Sequence, residues 1–223
     1  MIRKIGFWLL WLGFIAYAFL LAPPDQPDTA ELIANLSSGK WQDINPLVVC
    51  LFNLMGIWPI IYSCLILVDG RQQKLPAWPF ATASFGVGAF AILPYLALRE
   101  PNQKFTGSPG VLLKFFDSRW FGIALTLGAI VLLSYGFSGD WGDFIKQWQT
   151  SRFIHVMSLD FGLLSLLFPL LLGDDVARRG MKNSPWFWVL ESLPLLGALL
   201  YLSFRSPLPN EEEEATTGKQ QPV

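Results

Sequence analysis

Residues 47–68 read LVVCLFNLMGIWPIIYSCLILV, an unbroken run without Asp, Glu, Lys or Arg between Asp43 and Asp69. At about 1.5 Å per residue such a run makes a helix of roughly 30 Å, the thickness of a bilayer's hydrocarbon core. Water offers it nothing, because every face is apolar. Five further stretches are also long and apolar: Ile5 to Ala22, Trp78 to Leu98, Trp120 to Phe137, Phe153 to Leu172 and Trp186 to Phe204. Charged or polar segments separate them, so the expected fold is all-α: a polytopic transmembrane helical bundle of six spans occupying residues 1–206.

Composition agrees with this reading. The 223 residues are 52% hydrophobic and only 15% charged, too apolar for an ordinary water-soluble domain. Trp41, Trp78, Trp120, Trp148, Trp186 and Trp188 fall at or near the expected span ends, where an amphipathic ring prefers the headgroup layer. The lipid bilayer is therefore the first partner. A formal net charge of −1 leaves no basic footprint for a phosphate backbone, which excludes nucleic acid. After Ser206 the chain runs PLPNEEEEATTGKQQPV, with four consecutive glutamates and almost nothing to bury, so residues 207–223 are expected to be a disordered acidic tail.

No motif names a reaction. Cys50 and Cys64 lie roughly 21 Å apart if their segment is helical, too far to bridge. One histidine without a CxxC or HxxxH pattern supplies no common metal site. The expectation is a non-enzymatic protein with no catalytic, cofactor-binding or metal-ligating residue, and no cofactor is indicated.

Two long segments resemble each other. LILVDGRQQKLPAWPFATASFGVGAFAILPYLALR, ending at Arg99, and LLLGDDVARRGMKNSPWFWVLESLPLLGALLYLSFR, ending at Arg205, share an apolar end, an Asp, a basic turn, Pro and Trp, then a proline-interrupted span closing on Arg. With six spans the unit holds three, and an odd unit places its second copy upside down, a 3+3 inverted repeat of the transporter kind. Lys and Arg then divide equally between the two faces, so the excess of cytoplasmic positive charge that normally orients a membrane protein does not choose between them. The basic start of the chain and the acid-rich first loop favour both termini on the cytoplasmic or stromal side.

Within the spans, Pro59, Pro94, Pro169 and Pro194 release the carbonyls four residues earlier, at Met55, Phe90, Ser165 and Leu190, which other groups must then satisfy. Ser84, Gly88 and Ala91, and likewise Ser158, Gly162 and Ser165, form narrow faces for close helix approach. The fifth span, polar or small on two faces, is expected at the centre of the bundle. A charged carboxylate inside a span costs about 2.5–3.5 kcal/mol on insertion scales and commonly faces protein or a wet cavity. Asp160 and Glu191, with His155 as an intermediary, form the candidate intramembrane polar site.

The segments PFATASFGVGAFAILPYLALR and SRFIHVMSLDFGLLSLLFPLLLGDD resemble a family of small multi-spanning membrane proteins of unknown function from cyanobacteria and chloroplasts. That resemblance implies a thylakoid or plasma membrane and an accessory or assembly role beside other membrane complex subunits. The buried carboxylates and the repeat point instead to a small proton-linked transporter or channel.

Overall fold

The computed structural model describes residues 2–181 and 193–209, and every described element is helical. Among these residues four helices are long and apolar enough to cross a membrane: Ile2–Leu21, Pro46–Asp69, Arg119–Gly136 and Arg152–Arg178. The first comprises α1 (Ile2–Ala16) and a closing π-turn, Tyr17–Leu21. The second and third are α3 (Pro46–Asp69) and α7 (Arg119–Gly136). The fourth is α9 (Arg152–Leu167) continued by α10 (Pro169–Arg178), the joint falling where Pro169 cannot donate a backbone bond.

Short helices fill the connections. The helices α2 (Thr29–Ser38) and α8 (Trp141–Thr150) turn Leu36, Phe144 and Trp148 onto a small apolar cluster with Val48, Val49 and Ile154 at one end of the bundle. Asn45 caps α3 by accepting from the N–H of Leu47 and donates to the carbonyl of Asp140, itself the cap of α8. At the other end lies α6 (Val111–Asp117).

The segment expected as the third span is broken. Gly88, at φ +52° and ψ −125°, separates α4 (Trp78–Val87) from α5 (Ala89–Leu98). Ala77, before α4, packs against Gly70, while Arg99, after α5, binds Asp69. Both ends of the segment therefore lie at the same end of α3, and the two ten-residue helices enter and return. Each is about 15 Å long, half the hydrocarbon thickness. Composition could not reveal this, since a run of apolar residues reads alike whether it crosses or turns back.

The sixth expected span falls partly outside the described residues, which include only α11 (Leu196–Phe204). The chain stands at Arg179 and again at Ser206 within one hydrogen bond, Arg179 Nη1 to the Ser206 carbonyl at 2.5 Å. It thus returns to the end it left. Leu208 is buried and its N–H bonds Asp117, so packed chain continues to that point, past the boundary expected at 206.

The centre of the bundle is α3 rather than the fifth span. Trp58, Ile61, Tyr62, Leu65 and Ile66 of α3 are all buried, and α3 packs against α4, α7 and α9. Lipid-facing and core-facing residues are equally apolar in a membrane protein, which is why the sequence does not rank its spans by burial. Flanking pairs complete the bundle: α1 packs on α5 and α7 on α11. Gly122 of α7 meets the backbone of Leu202, and Gly136 meets Cys50, closer than any side chain would permit. Of the carbonyls released by proline, that of Phe90 accepts the indole N–H of Trp11 at 2.8 Å.

Candidate functional site

Two polar places stand out, one at mid-depth and one at the end where α3, α5, α10 and α11 finish.

At mid-depth, Asp160 of α9 reaches the break between α4 and α5. Its Oδ1 accepts the N–H of Ala89 at 2.8 Å, and its Oδ2 occupies the space a Cβ on Gly88 would need. A carboxylate here supplies the negative charge and the acceptor that a helix's amino end lacks. Asp160 is thus an N-cap delivered from another helix, and Gly88 is required both by its positive φ and by that approach. Ser84, buried beside the break, bonds the carbonyl of Ala81.

His155 is not joined to Asp160. Its Nδ1 lies 2.8 Å from the Trp148 carbonyl and its Nε2 2.8 Å from the Tyr17 hydroxyl. A carbonyl can only accept, so Nδ1 carries the proton; the tyrosine then donates to Nε2. Both ring nitrogens are occupied and the ring stacks on Trp148 and Tyr17. His155 fastens the end of the first span, α8 and α9 together, and no direct hydrogen bond joins it to Asp160 among the described residues. Glu191 lies outside the described residues.

The second place was missed by reading spans singly. Asp69, at the end of α3, accepts two bonds from Arg99, at 2.8 and 2.6 Å, one from Arg178 at 2.9 Å and one from the Tyr95 hydroxyl at 2.5 Å. Asp175, in α10, accepts from Arg178 at 2.9 Å, Arg179 at 2.8 Å, Tyr201 at 2.7 Å and Arg205 at 3.4 Å. Asp174 pairs with Arg99 at 2.5 Å and Asp117 with Arg179 at 2.6 Å. Four carboxylates and four guanidiniums thus interlock, and most are almost wholly buried. Burial alone would lower the pKa of Arg99 and of Arg179, but the bonds and charges of Asp69 and Asp174 on the first, and of Asp175 and Asp117 on the second, outweigh it and raise both. The cluster holds its charges by mutual compensation. Taking one away leaves its partner stranded in a dry site.

This arrangement corrects the inverted repeat. Inversion puts Asp69 and Asp175 on opposite faces, yet both bind Arg178. The signal that could have found it is spacing: Tyr95 follows Asp69 by 26 residues and Tyr201 follows Asp175 by 26. In each case an arginine comes four residues after the tyrosine and a proline two after that, Arg99 with Pro101 and Arg205 with Pro207.

The charge balance changes as well. With residues 78–98 folded back, eleven of the fourteen described Lys and Arg lie at the end holding this cluster; only Lys40, Lys146 and Arg152 lie at the other. Asp25, Asp28, Glu31, Asp43, Asp140 and Asp143 accompany those three. The molecule has a basic end and an acidic end, where six full crossings implied parity. No protein family, curated protein or solved structure matches the chain.

Proposed function

We propose that the protein is a small proton-linked carrier built from two like halves running in the same direction through the membrane. The observation that supports it most is the helix broken at mid-depth with a carboxylate at the break: α4 and α5, Gly88 and Asp160. Discontinuous helices whose amino ends face the middle of the bilayer are a recurrent way of building ion and solute sites, and intramembrane carboxylates mark such pathways. Protonation of Asp160 removes the charge facing α5 and weakens its hold on the Ala89 N–H, which favours an anionic acceptor on a solute at that amino end.

Each half would comprise a flanking span, a short amphipathic helix, a central span ending in Asp, and a returning segment closing on Tyr, Arg and Pro. The first half would run from α1 through α5 and the second from α7 through α11. Two full crossings per half keep the copies parallel, related by an axis along the membrane normal. In that arrangement the Asp and Arg cluster is the closed gate of the basic end, with Arg178 near the axis. The excess of Lys and Arg sets this end toward the cytoplasm or stroma.

Purified protein in liposomes, driven by an imposed pH gradient and offered a panel of small anionic and polar solutes, tests the reading. Solute movement that is abolished in a folded Asp160→Asn variant supports it. Vesicles inert to the whole panel, together with stoichiometric recovery beside other membrane subunits from mild detergent, would replace it with the accessory role in a photosynthetic membrane.

A further inference from the structure

Beside the buried cluster, at the basic end, a cavity of about 490 Å³ opens between α6, the start of α7 and the chain after α11. Lys114, Ser118, Arg119 and Arg205 line it, with Asp117. Arg205 has only 1% of its side chain exposed, and its Nε has no hydrogen-bond partner among the described residues. Asp117 is turned to other work: Oδ1 faces Arg179 at 2.6 Å and Arg205 at 3.5 Å, and Oδ2 accepts from Leu208. Lys114 and Arg119 are exposed and form no ion pair among the described residues. Ser118 makes no side-chain cap at the start of α7, an eighteen-residue helix, so that helix's positive end also faces the cavity.

We infer that this cavity binds the phosphate of an anionic membrane lipid. Lys114 and Arg119 bring two cations without a counter-charge among the described residues to the cavity, and a phosphodiester offers several acceptor oxygens to guanidinium and ammonium donors. The surroundings favour a lipid over free phosphate. Val111, Leu112 and Phe115 of α6 and Trp120 of α7, on the two elements that frame the cavity, are more than half exposed, a set of apolar side chains suited to the boundary between headgroups and acyl chains. Basic pockets at that level hold anionic headgroups elsewhere. The site stands whether or not the protein moves a solute.

The full-length protein in neutral detergent, with its thermal unfolding followed as lipid is added, provides the test. Phosphatidylglycerol should raise the midpoint and phosphatidylcholine should not. Lys114→Gln with Arg119→Gln, both exposed positions whose change leaves the buried cluster intact, should remove the rise while the midpoint without lipid is unchanged. Inorganic phosphate that reproduces the rise at equal concentration would identify the free anion as the ligand and overturn the lipid assignment. A rise that persists in the double variant would overturn the site. A rise seen only after Glu211, Glu212, Glu213 and Glu214 are all changed to Gln would mean that the chain's own glutamates hold the cavity, and would also overturn it.

Discussion

Asp69 and Asp175 share one guanidinium. Arg178 donates from Nη2 to Asp69 and from Nη1 to Asp175, each at 2.9 Å, so one side chain ties the end of α3 to α10. The same Nη2 also reaches the Asn102 carbonyl at 2.5 Å. Three connections converge on a residue with 1% of its side chain exposed.

Arg178→Ala should therefore leave two buried carboxylates short of a cation and destabilise the protein by about 3–5 kcal/mol, the usual range for stranding one partner of a buried pair. Changing Asp69 to Asn in the same chain removes one of the stranded charges and should restore part of the loss. Denaturant unfolding in detergent, compared across the two single variants and the double, gives the coupling.

Gly88→Ala should be far more damaging than its single methyl suggests. The new Cβ would fall on Oδ2 of Asp160, and the backbone there has positive φ. Asp160→Asn keeps an acceptor for Ala89 and should fold normally, whereas Asp160→Ala leaves that buried N–H unmet at a cost of about 1–3 kcal/mol. Equal stability of the Asn and Ala variants would show that the cap contributes nothing.

Labelling from one side of sealed vesicles tests the returning hairpin. Cysteines placed singly at Lys74 and Lys104, on a background where buried Cys50 and Cys64 are unreactive, should be modified from the same side by a membrane-impermeant maleimide, and one at Lys40 from the opposite side. Modification of the Lys74 and Lys104 positions from opposite sides would restore a full crossing between them.

Glu100 offers a check on the contact between α1 and α5. Its carboxyl is held below the usual range by the hydrogen bond and charge of Lys4, 2.5 Å away. Because the folded value is the lower one, the pair's contribution is present above the ordinary carboxylate pKa and is lost as pH falls through the depressed value. The group is fully solvent-exposed, so the effect on overall stability should be slight. Carboxyl NMR of Glu100 should show the depressed titration in the native chain and its return to normal in Lys4→Gln.

Much of this was legible in the sequence. Long apolar runs between charged turns establish a helical protein with spans for a bilayer, because backbone polar groups in lipid must be satisfied within the segment itself. The cost of an ionisable group in an apolar span singled out Asp160, and proline's missing donor marked the Phe90 carbonyl that Trp11 satisfies. Resemblance between the two long segments was likewise visible. What each of these groups does was settled only by tertiary structure. Whether residues 78–98 cross or return depends on φ at Gly88 and on a carboxylate some seventy residues away in sequence, and no local pattern encodes that meeting. Once the segment returns, its closing Arg99 lands on Asp69 instead of at the far face. The distribution of every later charge changes with it, turning an apparently balanced chain into one with a basic end and an acidic end.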